Sequence, residues 1–246
     1  MTFNDALVLS DCIKSVINQS HGSIEHIIVD GGSNDGTMDI LNKYQNNLSK
    51  IISEPDNGIY HAMNKGIKYA SGEVVGFLNS DDFYFDNDVL SKVFQTFKSN
   101  PSINACYSDL VYVDKLTASK TIRYFKSKEF TPGLFSKGWC PPHPTFFVRK
   151  SVFKKYGDFD LNLKIASDVD LMMRFLEIHK VKSLYIPEIW VKMRLGGTTN
   201  KNLNNILRQN LEVIRSLRKN GLAVNYVNFF INKIISRTKQ FLKLNI

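Results

Sequence analysis

Residues 26–37 read HIIVDGGSNDGT, and the fold class turns on them. His26-Ile27-Ile28-Val29-Asp30 is a short apolar run that ends in an acid. Gly31-Gly32-Ser33-Asn34-Asp35-Gly36 follows as a glycine-rich turn, and Thr37 stands as the N-cap of a helix carrying Met38, Leu41 and Tyr44. The unit is strand, turn, helix, and it repeats outward. Before it, residues 7–18 place Leu9, Ile13, Val16 and Ile17 on one helical face. After it come a second strand at 50–54, a turn at Pro55-Asp56-Asn57-Gly58 and a helix over 59–69. A third strand, 73–78 (EVVGFL), ends in Asn79-Ser80-Asp81-Asp82. Strands alternating with helices predict βαβ units and a Rossmann-like, mixed but mainly parallel sheet flanked by helices, an α/β class. In such sheets ligands gather at the carboxyl ends of strands, where two of these three carry carboxylates.

The second half is less regular. Residues 105–113 read as a strand, Pro141-Pro142-His143-Pro144 as a rigid loop, and 168–178 as a helix with Val169, Met172, Met173 and Leu176 on one face. Residues 184–186 read as a short strand closed by Pro187. With 246 residues, 43% hydrophobic and 22% charged, the chain has the balance of one sizeable globular domain with an extension. No apolar run of about 18 residues exists to span a bilayer as a helix. The N-terminus lacks a basic n-region and a clean apolar stretch, so the expected location is the cytoplasm. Cys12, Cys106 and Cys140 read as reduced thiols, neither a disulfide framework nor a metal cluster.

The net charge of +9 belongs to the tail: from residue 192 onward, eleven Lys and Arg face a single acid, Glu212. That tail reads as two helices, one carrying Ile206, Leu207, Leu211, Ile214 and Leu217, the next Val227, Ile231, Ile234 and Phe241. A basic amphipathic helix suits an anionic membrane surface; the same pattern suits a helix docked on its own domain, and the two readings stand equal. Nucleic acid is not expected as a partner, because Phe229 and Phe230 lie in an apolar run away from the charges.

Three groups of residues have chemical potential. GGSNDG does not match the dinucleotide fingerprint, so Asp30 is either a ligand for a base or ribose or an Asx turn at the strand's end. The Asp81-Asp82 pair suits a hard divalent cation shared with substrate phosphates, or a turn capping the next helix. Asp168 opens a helix as an N-cap or as a general base. Asp170 lies four residues before Arg174 and reads as a structural ion pair. His143, between prolines, either orients a substrate or phosphate or is simply packed.

Together the segments SVINQSHGSIEHIIVDGGSNDGT, SEPDNGIYHAMNKGIKYASGEVVGFLNSDDFY, HPTFFVRKSVFKKYGDFD and KIASDVDLMMRF resemble the family 2 glycosyltransferases, notably bacterial enzymes of exopolysaccharide and O-antigen assembly. The resemblance covers roughly residues 2–198 in order and spacing. It implies a GT-A domain over 1–198 with a helical extension over 199–246. It also implies a nucleotide-sugar donor of UDP type, a Mn²⁺ or Mg²⁺ ion, and inversion at the anomeric carbon. Carried over by position, Phe3 would stack on the donor's base and Asp30 would bind it. Asp56 and Asn64 fall in the nucleotide-side block. Asp81 would face the ribose or metal, Asp82 would ligate the metal, and Asp168 would be the catalytic base. Arg194 with Gly196-Gly197-Thr198 matches a loop closing over the diphosphate. The implied acceptor is lipid-linked or a glycan, at the inner face of the plasma membrane.

The chain departs from the pattern twice. Asn79 stands where many members have a first carboxylate, which bears on metal affinity. The family opens with an apolar strand before its Thr-x-Asn turn, whereas Met1 directly precedes Thr2-Phe3-Asn4. A chain without that strand is expected to expose unpaired backbone beside Asp30 and to loosen the base pocket. The alternative function is therefore a catalytically weak or silent nucleotide-sugar binder.

Overall fold

The computed structural model describes residues 1–115, 117–196 and 203–242. Eight strands and eight α-helices alternate through it. In chain order they begin α1 (Leu9–Ile17), β1 (Ile27–Asp30), α2 (Thr37–Lys43), β2 (Lys50–Ser53), α3 (Ile59–Tyr69), β3 (Val74–Val75), β4 (Asp82–Tyr84) and α4 (Val89–Ser99). They continue with β5 (Ala105–Val113), β6 (Thr121–Phe125), β7 (Phe147–Arg149), α5 (Lys150–Tyr156), α6 (Ser167–Met173), β8 (Ser183–Arg194), α7 (Leu203–Lys219) and α8 (Tyr226–Leu242).

The expected α/β class stands, but the strand directions are more mixed than "mainly parallel". β1 and β2 form a parallel pair of their own. A second sheet runs β3-β7-β5-β8-β4, with β6 beside β5, and within it only β5 and β8 are parallel. The antiparallel members are the short strands β3, β4 and β7 and the hairpin partner β6, and no α-helix lies between β5 and its antiparallel neighbours β6 and β7.

Alternation in β1 explains how both faces are covered. Ile28 packs with Leu9 and Ile13 of α1 and Leu41 of α2, while Val29 faces Gly66 of α3 on the other side. The larger core gathers α3, β5, β7, α5, α6 and the inner faces of α7 and α8 around Phe77, Tyr107 and Phe175. Close packing fixes one glycine by volume: a Cβ on Gly76 would meet the Phe147 ring at 2.4 Å, and Phe147 is itself wedged edge-on against Trp190.

Three local expectations need correction. Thr37 is the first helical residue and not the cap; Gly36 takes the boundary with φ +96°, a left-handed conformation open to glycine. The strand at 184–186 does not stop at Pro187. β8 continues to Arg194, and the β5 register slips from Ser108↔Ile186 to Asp109↔Ile189, so that the proline lies in an irregularity where its missing N–H is tolerated. The strand expected over 73–78 is paired to β7 only at Val74 and Val75.

The basic tail docks on its own domain. Val213, Ile214 and Leu217 of α7 and Phe229 of α8 are buried. The apolar stripe does not go wholly inward: Leu207, Leu211, Val227, Ile231, Ile234 and Phe241 stay exposed. No described helix is long and apolar enough to cross a membrane.

Candidate active site

Asp30 closes β1 and is fully buried. Its carboxylate accepts from the N–H groups of Gly32 (3.1 Å) and Ser33 (3.0 Å), from the Ser53 hydroxyl (2.6 Å) and from the Ser33 hydroxyl. The Asx turn is thus realised, and the oxygens are saturated by the chain itself. Phe3 lies against Gly31 and is 60% exposed, an open aromatic face beside that turn.

Asp56 lies in the turn after β2. Its Oδ1 meets Lys65 Nζ at 2.6 Å and His61 Nδ1 at 2.9 Å, while its Oδ2 is buried with no hydrogen-bond partner. Asn64, midway along α3, bonds to the backbone of Phe159: its amide donates to the Phe159 carbonyl and accepts from the Phe159 N–H, both at 3.0 Å. It staples α3 to the 157–160 loop.

Asp81 and Asp82 form the end of the apolar run through Phe77. Asp82 opens β4, paired to Met193 of β8, where a helix-capping turn was the alternative. It is fully buried; Oδ2 accepts from the Asn79 amide at 3.2 Å, and Oδ1 has no partner. The Asn79 amide oxygen is likewise buried and bare. Burial above all, then the neighbouring Asp81 charge, drives the Asp82 carboxyl well above the usual carboxylate range; burial also raises Asp81. Bare buried oxygens beside two carboxyl groups suit a cation that would compete with those protons. Among the described residues no three His, Cys, Asp or Glu side chains cluster as a metal cage. The protein therefore offers a partial, oxygen-only ligand set, which fits a hard divalent ion completed by substrate phosphates.

Arg194 ends β8 beside this pair, buried, with hydrogen bonds to the Asp11 carboxylate and the Lys115 carbonyl. Its positive charge acts on Asp81. Gly196 is left-handed (φ +115°); Gly197 and Thr198 lie outside the described residues.

Asp168, second residue of α6, accepts from the Tyr60 hydroxyl at 2.9 Å through Oδ1. Its charge also reaches Cys140, His143 and Lys233. His143 is packed, stacked on Phe77 and edge-on to Phe159, and burial lowers its pKa against the opposing pull of Asp168. Asp170 makes the expected ion pair with Arg174 (2.7 Å).

One residue of the site gave no signal in sequence. Glu212 of α7 is buried, and its Oε2 accepts the N–H groups of Lys164 (3.0 Å), Ile165 (2.8 Å) and Ala166 (3.1 Å), the three residues leading into α6. Arg208 holds its other oxygen at 3.1 Å. Asp168 is thereby set by the tail helix, across a separation no local pattern reveals.

The backbone connects these groups. Thr2 pairs with Val29 and Gly31 around Asp30, while Met1 pairs with Leu78 and Ser80 just before Asp81. Tyr60, in the first turn of α3 after the Asp56 turn, reaches Asp168. Asp30, Asp56 and the Asp81-Asp82 pair thus follow the carboxyl ends of β1, β2 and the 74–78 segment, and Tyr60 joins Asp168 to the helix that follows Asp56.

A family model described as glycosyl transferase family 2 matches residues 1–157. A "PGL/p-HBAD biosynthesis glycosyltransferase" of Mycobacterium bovis is 34% identical over 203 residues, 81% of this chain and 77% of that protein. An uncharacterized glycosyltransferase of Mycobacterium tuberculosis is 32% identical over 178 residues, covering 71% and 66%. Among solved structures, S. aureus TarS (1–349) in complex with UDP-GlcNAc aligns with a TM-score of 0.67 at 19% identity, over 100% of this chain and 74% of that one. The mannosyltransferase PcManGT of Pyrobaculum calidifontis, in complex with GDP-Man and Mn²⁺, aligns at 0.66 with 17% identity, over 99% and 68%. These similarities share a GT-A fold.

Proposed function

This chain belongs to glycosyl transferase family 2, and on that premise we propose that it transfers one sugar, with inversion, from a UDP-sugar to a lipid-linked or glycan acceptor in bacterial surface-polysaccharide assembly. The observation that carries the reading is Asp168: the Tyr60 hydroxyl holds Oδ1, and Oδ2 has no hydrogen bond among the described residues. A carboxylate fixed by one oxygen and open at the other is arranged to take a proton. Asp168 removes the acceptor hydroxyl's proton, that oxygen bonds to the anomeric carbon, and the bond from that carbon to the diphosphate breaks with its electron pair leaving on phosphate. Asp82, with Asp81 and the Asn79 amide oxygen, would hold Mn²⁺ or Mg²⁺, which when bound supplies charge neutralisation to the leaving diphosphate. Arg194 adds a fixed positive charge on the same side. The support for a nucleotide-sugar donor is that the structurally similar TarS binds UDP-GlcNAc and PcManGT binds GDP-Man with Mn²⁺.

Phe3 offers the base a stacking face. Asp30 reaches the base only if a Ser33 or Ser53 hydroxyl yields its bond to the base's own donor. Asp56 retains one bare oxygen for the nucleotide side, whereas Asn64 acts by positioning. Residues 1–198 then form the catalytic unit, and residues 199–246 an extension that both positions Asp168 and presents an apolar-and-basic face to anionic lipid. The test is a nucleotide-sugar screen with Mn²⁺: transfer or donor hydrolysis requires the metal and is lost in Asp168→Asn. Metal-dependent binding of UDP without turnover in the wild type would instead identify a silent binder.

A further inference from the structure

Where the basic extension meets the sheet there is a buried cation that the proposed reaction does not use. Arg123 lies in β6 and is 5% exposed. Its Nε is buried without a hydrogen-bond partner, and no carboxylate pairs with it among the described residues. Arg149, Arg174 and Arg194 each hold a carboxylate, those of Glu73, Asp170 and Asp11. Arg123 instead sits over the Tyr112 ring, its Cζ 3.5 Å from the centroid, with the Phe241 ring at 5.8 Å. Such contacts serve the flat faces of the group. The N–H donors lie in the guanidinium plane, where a ring face does not reach them. Buried donors are rarely left unmatched, and a buried charge without a counter-ion is costlier still.

α8 lies against β6 and brings a second cation to the same place. Arg237 stands one helical turn before Phe241, and with Ile234 and Thr238 these two line an open hollow of about 360 Å³. Burial first, and then the Arg237 charge, work against the charged form of Arg123, with Tyr112 favouring it. Ile234 and Phe241 are exposed beside the two guanidinium groups. Two cations next to bare apolar side chains match an anionic head joined to a hydrocarbon chain.

Strand register relates this place to the acids. Arg123 pairs with Tyr112, Tyr112 with Met193, and Met193 with Asp82. Directly paired residues share a face of the sheet, so Arg123 and Asp82 lie on one face, three strand spacings or ~14 Å apart. That span leaves room for a transferred sugar and a short acceptor between a diphosphate at Asp82 and an anion at Arg123.

We propose that Arg123 and Arg237 hold the phosphate head of a lipid-linked acceptor whose hydrocarbon chain lies against Ile234 and Phe241. The proposal rests on the sugar-transfer reading and deepens it, giving the acceptor a phosphate-bearing lipid carrier and a site at the junction of α8 and β6. Arg123 supplies the planar fork that suits two phosphate oxygens at once. Arg237 adds a second charge at the rim, and the apolar side chains cover the first carbons of the chain. A membrane phospholipid carries the same phosphate, but a buried guanidinium on the Asp82 face suits a substrate head drawn in from the surface.

The test is binding in EDTA without nucleotide, so that a metal-bound diphosphate at Asp82 does not contribute. The full chain is titrated with farnesyl diphosphate, farnesol, inorganic pyrophosphate and phosphatidylglycerol vesicles, read by calorimetry and by Tm. Wild type should bind farnesyl diphosphate at least about tenfold more tightly than pyrophosphate, because the chain adds apolar burial, and should bind farnesol far more weakly. Arg123→Met should weaken farnesyl diphosphate binding by on the order of 10- to 100-fold. Its own Tm without ligand should hold or rise, since an unpaired buried charge is gone. Should Arg123→Met fail to fold, Arg237→Gln on the helix surface should still weaken binding several-fold. Failure of wild type to bind farnesyl diphosphate, or wild-type affinity in the variants, would overturn the proposal. So would pyrophosphate binding as tightly as farnesyl diphosphate, the mark of a bare anion site, or a response to the vesicles alone, the mark of a membrane contact. Neither nucleotide sugar nor turnover enters these readings, so a failed site and a failed transfer assay remain distinguishable.

Discussion

At the residue scale the site works through which oxygens are bound and which are bare. Asp168 has one of each. Tyr60→Phe removes its hydrogen bond while keeping the ring that stacks on Phe159; kcat should fall roughly 10- to 100-fold with UDP affinity unchanged, measured by steady-state kinetics beside calorimetry. Gly76 is set by volume, since its Cβ would enter the Phe147 ring. Gly76→Ala should therefore cost about 1–3 kcal/mol of stability in a denaturant titration. His26 supplies a pH signature: burial, helped by the Met1 ammonium, holds its pKa down to about 4 against an ordinary 6.5. The unfolded chain takes up this proton first, so stability is full above 6.5 and is lost progressively as pH falls toward 4. Tm against pH should show that decline, and His26→Gln should flatten it. Sequence separated these residues unequally. Asp30 carried both a turn and a ligand reading, and only the four donors on its oxygens show the turn to be built.

At the scale of elements, the strand-turn-helix units around β1, β2 and α3 were legible because each is a local apolar pattern closed by turn residues. β6 and β7 were not, being short antiparallel strands whose partner is fixed by the sheet and not by their own sequence. Pro187 misled for a physical reason: a proline ends a regular strand, but an irregular register lets β8 pass it. The tail helices were legible as helices, yet their inner faces were not, because α7 buries polar Glu212 and Ser216 as well as Leu217. Glu212→Gln should weaken the three N–H bonds to 164–166 and lower kcat by on the order of tenfold, with nucleotide affinity kept, as stopped-assay kinetics would show. α8 rests on Gly138, where φ is +78° and a Cβ would stand 3.0 Å from the Phe229 carbonyl oxygen. Gly138→Val should add ~1–3 kcal/mol of strain and release α8, seen as faster proteolysis within 226–242 and an unchanged core.

At the scale of the whole molecule, a body near neutrality carries a basic appendage that faces outward with apolar side chains while reaching inward through Glu212. The order of the motifs along the chain made the family recognisable. Their spatial neighbourhood was not legible, because it depends on Met1-Thr2 bridging two sheet edges and on Tyr60 crossing from α3 to α6. The account's central claim is that the Asp82 and Asp168 regions divide one reaction, binding donor and metal on one side and accepting a proton on the other. Calorimetry with UDP and Mn²⁺, run beside a transfer assay on wild type, Asp82→Asn and Asp168→Asn, measures that division directly. The account predicts that Asp82→Asn loses metal-dependent UDP binding, and that Asp168→Asn binds UDP as the wild type does but turns over at least about 1,000-fold more slowly. Wild-type turnover in Asp168→Asn, or undiminished metal-dependent binding in Asp82→Asn, would contradict it.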